Sequence, residues 1–161
     1  MILGLDLGRY TGVAMVGSMG EPVALLRWRF EQDSHGELIY DFFDRLRDMI
    51  RETNPLLVAF EDLTGNHMPS TAWRSIWFGM RSAVMIACEE AEVSYVGVTV
   101  PQWKAEFGVP TRGKHPVETL AAARAYCGEA WIGDVPAPMA ENDDEAAALL
   151  VAVTAHRAGV V

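Results

Sequence analysis

The chain has 161 residues, half of them hydrophobic, which is enough for one compact core and predicts a single domain over residues 1–161. Its formal net charge of -9 argues against indiscriminate nucleic-acid binding, because phosphate contacts need clustered cations. Two cysteines far from any histidine at ligand spacing give neither a disulfide framework nor a zinc site, and no apolar run reaches the roughly 20 residues of a membrane span. With no basic leader at the start, the expectation is a soluble, cytoplasmic protein without membrane partners.

In chain order, residues near 2 to 7 form a short apolar run, Gly8 to Thr11 a turn, "TGVAMVG" a second run and "PVALLRWRF" a third, which together read as an antiparallel meander. Ile39, Phe42, Phe43, Leu46, Met49 and Ile50 then recur at three- and four-residue steps, one buried stripe on a helix stopped by Asn54 and Pro55. "LLVAFEDL" is a strongly apolar strand ending in Glu61 and Asp62. After "TGNHMPS", a long helix from about Ser70 to Ala91 buries Ile76, Met80, Ala83, Val84 and Ala87. "VSYVGVTV" is the next strand, Pro101 starts a basic patch, and "PVETLAAARAYCG" is a helix closed by Gly128. A Pro-rich connector, "VPAPMA", leads to the last helix, capped by Asn142 or Asp143, with Ala146, Leu149, Leu150 and Val153 as its buried stripe. This order predicts an α/β fold, a mixed sheet with helices on both sides.

Asp6 is the anomaly of the first strand, since a carboxylate in an apolar run loses hydration that only cations or several donors replace. Glu61 repeats it, and Asp143 and Asp144 open the last helix, where acids also suit the helix dipole. If the first and fourth strands lie side by side, these acids converge at one end of the sheet. Converging carboxylates repel unless neutralised, and an oxygen-only set suits Mg²⁺ or Mn²⁺, cations that grip phosphate oxygens and activate water.

Eleven arginines accompany just two lysines, Lys104 and Lys114, and both fall in "PQWKAEFGVPTRGKHP" beside Arg112 and His115, a local basic patch on an acidic chain. In "TGNHMPSTAWRSIWFGMR", Trp73 and Trp77 are about one turn apart with Arg74 and Arg81 nearby. That surface suits stacking on an unpaired base or a contact between two copies, and the tryptophans equally suit packing on the first helix.

The stretches "ILGLDLGRYTGVAMV", "VAFEDL", "VTVPQWKAEFGVPTRGKHPVETLAAARA" and "ENDDEAAALLVAVTAH" together resemble the RuvC-like Holliday junction resolvases, especially their phage-encoded branch, over nearly the whole chain. The resemblance implies an RNase H-like fold, a mixed five-stranded sheet with three antiparallel N-terminal strands and flanking helices. It implies a crossover junction endodeoxyribonuclease of DNA recombination and repair, a homodimer that nicks four-way junctions with two Mg²⁺ per active site, Mn²⁺ substituting, and no small-molecule cofactor. Carried over, Asp6 and Glu61 are metal ligands, and Asp143 or Asp144 supplies the last-helix carboxylate, with Asp144 expected to carry most of it. Lys104 and Lys114 match lysines near the scissile phosphate. His67 and Met68 are placed to reach into an opened junction, and Trp73, Arg74, Arg81, Arg112 and His115 complete the expected DNA surface.

Two departures stand out. Ala147 in "EAAAL" occupies a position where the family carries a further aspartate, so Ala147→Asp is expected to be tolerated, and "TRGKHP" lacks the usual small and acidic residues before its lysine. Besides a nuclease, two other readings fit parts of the chain: a junction-binding protein that has lost catalysis, suggested by Ala147 and the acidic pI, and an actin-like phosphotransferase built on the "DLGRYTG" turn.

Overall fold

The computed structural model describes residues 1–63, 70–111, 115–129, 131–132, 135–136 and 139–159. Three strands, β1 (Ile2–Asp6), β2 (Tyr10–Val16) and β3 (Pro22–Arg29), form the expected meander, and α1 (His35–Thr53) carries the chain to β4 (Leu57–Asp62). Helix α2 (Thr71–Ala91) leads to β5 (Ser94–Thr99). The strands form one mixed sheet in the order β3-β2-β1-β4-β5, with β1 parallel to β4 and β4 parallel to β5. The adjacency of the first and fourth strands is therefore as expected.

Strand alternation divides the core in two. Leu3, Leu5, Val13, Val58 and Phe60 point toward α1 and α2, where they meet Leu38, Phe42, Leu46, Ile50, Trp77 and Met80. Ile2, Ala14, Val16, Leu57 and Ala59 point the other way, toward α3 (Val100–Glu106), α4 (Pro116–Glu129) and α5 (Asp143–Arg157). Capping follows the sequence closely. Ser34 accepts from the Glu37 N–H, Ser70 from Trp73 and Asn142 from Glu145, while Asn54 ends α1 in the left-handed region. Among the described residues no helix is long and apolar enough to cross a membrane. Cys88 and Cys127 are buried free thiols, and burial pushes Cys88 up to about 12.

Four expectations are corrected. The expected order has no helix between the fifth strand and the helix at Pro116, yet residues 100–106 of the basic patch are helix α3: Pro101 sits in its first turn, where no N–H partner is lost, and the Thr99 N–H donates to Gln102 Oε1 (2.8 Å). Gly128 does not close α4, which runs on through Glu129. Residues 135–136 of the expected connector are the short strand β7, which pairs with β6 at residues 131–132. Helix α5 is not half-buried along one stripe; every residue from Glu145 to Val153 is buried, because the sheet lies on one side and α3 and α4 cover the rest.

Candidate active site

The alternation that sorts the core also aims the acids. Asp6 follows Ile2 and Gly4 on the α5 face of β1, and Glu61 follows Leu57 and Ala59 on the same face of β4. Leu5 pairs with Phe60 in parallel register, so Asp6 and Glu61 are the next residues in step. Both are half-buried strand ends.

Glycines bring the third element in. A Cβ at Gly4 would strike the carbonyl of Ala148 and the methyl of Ala152, and a Cβ at Gly12 would strike the carbonyl of Asp144. Helix α5 therefore rests nearly flush on β1 and β2, its first turn over Gly12, which is the register partner of Asp6. The acids of that turn divide by role. Glu145 is buried and its Oε2 accepts from the Glu141 N–H (2.8 Å), so it is committed to the helix entry. Asp143 is exposed and Asp144 half-buried.

The electrostatics show the convergence. Burial first, then the charges of Glu61, Asp144 and Asp143, push Asp6 well above the usual carboxylate range. Glu61 is also raised by burial, against the lowering effects of a hydrogen bond from Trp103 Nε1 to its Oε1 (3.0 Å) and of the Lys104 charge. Asp144 is raised by burial, opposed first by Arg27, whose Nε stands 2.7 Å from its Oδ2. Three carboxylates thus act on Asp6 at one end of the sheet, while Arg27 opposes Asp144 and Lys104 opposes Glu61. Hard oxygen donors that crowd a buried carboxylate in this way fit a hard divalent cation. In this conformation no three such groups among the described residues are gathered tightly enough to hold one.

The basic side of the site is part of the same assembly. Lys104, on α3, is buried with its Nζ 5.6 Å from the Trp103 ring centroid, and its charge reaches both Glu61 and Glu118. In the first turn of α4, His115 Nδ1 contacts Glu118 (3.3 Å).

The other expected contacts separate. Trp77 is buried in the core between the sheet and α1–α2, and Trp73 packs against that core, so the reading in which the tryptophans pack inward is the one observed for Trp77. Arg81 is half-buried, its guanidinium 6.0 Å from the ring centroids of both Phe60 and Trp77, while Arg74 is exposed. These residues belong to the α1–α2 side of the sheet. His67, Met68, Arg112 and Lys114 lie outside the described residues. Ala147 is 6 % exposed, on the turn of α5 that follows Asp144, so an aspartate there would lose most of its water and would depend on a bound cation to replace it.

Two residues escaped the sequence reading. Trp103 is the tryptophan of "PQWK", and its value as a donor to Glu61 depends on α3, which was not expected. Arg27 was one arginine among several in a strand, with no local signal.

No family model and no curated protein matches this chain in sequence. Solved structures do match in shape. RuvC from Thermus thermophilus bound to a Holliday junction substrate superposes with a TM-score of 0.71 at 18 % identity, covering 99 % of this chain and 94 % of that one. A second Thermus thermophilus RuvC structure gives 0.70 at 21 % identity, with 99 % and 95 % coverage. The yeast mitochondrial Holliday junction resolvase gives 0.60 at 12 % identity, covering 97 % of this chain and 77 % of that one. The chain therefore has the RuvC-type, RNase H-like fold, with its acid cluster at the end of β1 and β4.

Proposed function

We propose that this chain is a metal-dependent, structure-selective DNA endonuclease that resolves four-way junctions by paired nicks, as a homodimer. The observation that carries this is the action of Glu61, Asp144 and Asp143 on the buried Asp6, on a fold shared with junction resolvases. Asp6 and Glu61 would hold Mg²⁺ together with Asp144 or Asp143. Two such ions, when bound, supply an activated water and stabilise the leaving oxygen of the cut strand.

The chain's own residues do the rest. Trp103 fixes one oxygen of Glu61 and leaves the other for the site. Lys104, with Lys114, offsets charge that develops on the phosphate. Arg74, Arg112 and His115 contact the DNA backbone, and His67 and Met68 enter the opened junction. Phe78 and Ile86, half-exposed on the outer face of α2, offer an apolar surface to a second copy.

The test is a nicking assay on a synthetic four-way junction. Paired nicks in Mg²⁺, none in EDTA and little in Ca²⁺ are expected, with a linear duplex left intact. A second reading, a junction-binding protein without catalysis, is favoured by Ala147 and by the engagement of Asp144 with Arg27. Junction binding with no nicking in Mg²⁺ or Mn²⁺ selects that one.

A further inference from the structure

Register places Glu61, Asp6, Gly12 and Arg27 in one row across β4, β1, β2 and β3: Asp6 pairs with Gly12, and Gly12 with Arg27. The first turn of α5 rests on the glycine in the middle of that row. Asp144 consequently stands between two strands, one bearing Asp6 and the other Arg27. In this structure its carboxylate is paired with Arg27.

Arg27 is itself only loosely held from the other side. Its guanidinium lies 4.4 Å from the ring centroid of Tyr10, an exposed residue, and its side chain is 39 % exposed, so a phosphate can reach it. Arg29, 5.9 Å from the same ring, is paired with Glu31 (2.9 Å). The cation of the Asp144 pair is therefore open to an anion from solution, and its partner is the acid expected to complete the ligand set.

We infer that Arg27 is a positioning residue that holds Asp144 aside from the other carboxylates in the free protein and passes to a DNA phosphate when the junction binds, coupling the completion of the metal site to the presence of DNA. This rests on the nuclease reading above. Charge accounts for the exchange. In the free protein the Asp144 charge already acts on Asp6; turning the carboxylate further toward Asp6 and Glu61 strengthens that repulsion, and pairing with Arg27 limits it. With DNA and a divalent cation both present, Asp144 takes the cation and Arg27 the phosphate, so each ligand favours the other by the same factor. A half-exposed ion pair makes this a modest bias.

The test uses Mn²⁺ as the probe, with free Mn²⁺ read by its paramagnetic resonance signal over the full chain. Without DNA, Arg27→Met binds Mn²⁺ roughly two- to fivefold more tightly than the wild type, the range expected from releasing one such pair. Arg27→Lys, which can restore the pair, stays near the wild type. In EDTA, Arg27→Met binds a four-way junction more weakly. Arg27→Gln repeats the measurement if Arg27→Met does not fold. Unchanged or weaker Mn²⁺ binding in folded neutral variants overturns the exchange but leaves the nuclease reading standing if the wild type nicks junctions in Mg²⁺. A wild type that neither binds Mn²⁺ nor nicks overturns both.

Discussion

The two faces of the sheet are packed by opposite means. Toward α1 and α2 the space is filled by large side chains, Phe42, Trp77 and Met80 among them, with Trp28, Phe30 and Phe42 meeting edge to face at ring-centroid distances of 6.0–6.4 Å. Toward α5 there is hardly any space to fill: Gly4 and Gly12 meet Ala148, Ala152 and the backbone of Asp144. The large-side-chain face supplies cohesion, with a close glycine approach only between its helices, where a Cβ at Gly79 would meet Ile39. The glycine and alanine face gives up side-chain burial, and in return the start of α5 is held against the strand that bears Asp6. Asp6 and Glu61 lie on this second face, where the start of α5 meets the glycine that pairs with Asp6.

The largest effect should come from the acid at the centre. Asp6→Asn should reduce nicking on the order of a thousandfold or more while sparing junction binding. It should also raise the melting temperature in EDTA at neutral pH. The sign follows from the raised pKa: between the ordinary value of 3.8 and the higher folded value, the unfolded chain gives up the proton first. Stability of the metal-free protein is thus lost as pH rises through that window, and the asparagine variant escapes this loss. A variant that melts no higher than the wild type in EDTA at pH 7 would show that Asp6 carries no such burden.

Next comes the opposite face. Phe42→Ala should cost about 3–5 kcal/mol, the scale of truncating a fully buried ring. The protein that survives should still gain stability from Mn²⁺ in a thermal melt, because the lost packing lies on the other side of the sheet. Loss of the Mn²⁺ shift in a folded Phe42→Ala protein would mean that the faces are not independent.

Gly12→Ala should cost less, about 1–3 kcal/mol from overpacking, yet take most of the nicking activity and the Mn²⁺ shift with it, since the added methyl displaces Asp144. Gly128→Ala is the control: a Cβ there meets nothing within 4 Å, and the helical site should gain roughly 0.5–1 kcal/mol in a thermal melt. The two glycines read alike as letters, and the pair of measurements separates their roles.

The smallest effect concerns the second acid. Trp103→Phe removes the donor that lowers the Glu61 pKa, so that pKa rises further. Glu61 must be ionised to hold a cation, so the acid limb of the rate profile should move to higher pH, with a rate loss of about tenfold below it. An unmoved limb in a folded variant would remove Trp103 from the tuning of Glu61.

Much of this was legible along the chain. Apolar periodicity marked β1 to β5, α1, α2, α4 and α5, the cap at Asn142 is one of the two expected for the last helix, and acids at strand ends in otherwise apolar runs pointed to Asp6 and Glu61. Such signals are local: a period, a cap or a misplaced charge is read within a few residues of itself. Three features had no local expression. The run from Ala146 to Val153 is apolar on every side, but which elements bury it, the sheet on one side and α3 and α4 on the other, is set by tertiary packing. The Trp103 to Glu61 hydrogen bond joins a helix to a strand far away in the chain. The pairing of Arg27 with Asp144 requires β3, β2 and α5 to be stacked in register. The sequence by itself determined which residues form strands and helices and which acids are out of place. Only the tertiary structure decided where those acids point and what opposes them, because charges separated along the chain interact strongly only after folding brings them together in a poorly solvated site.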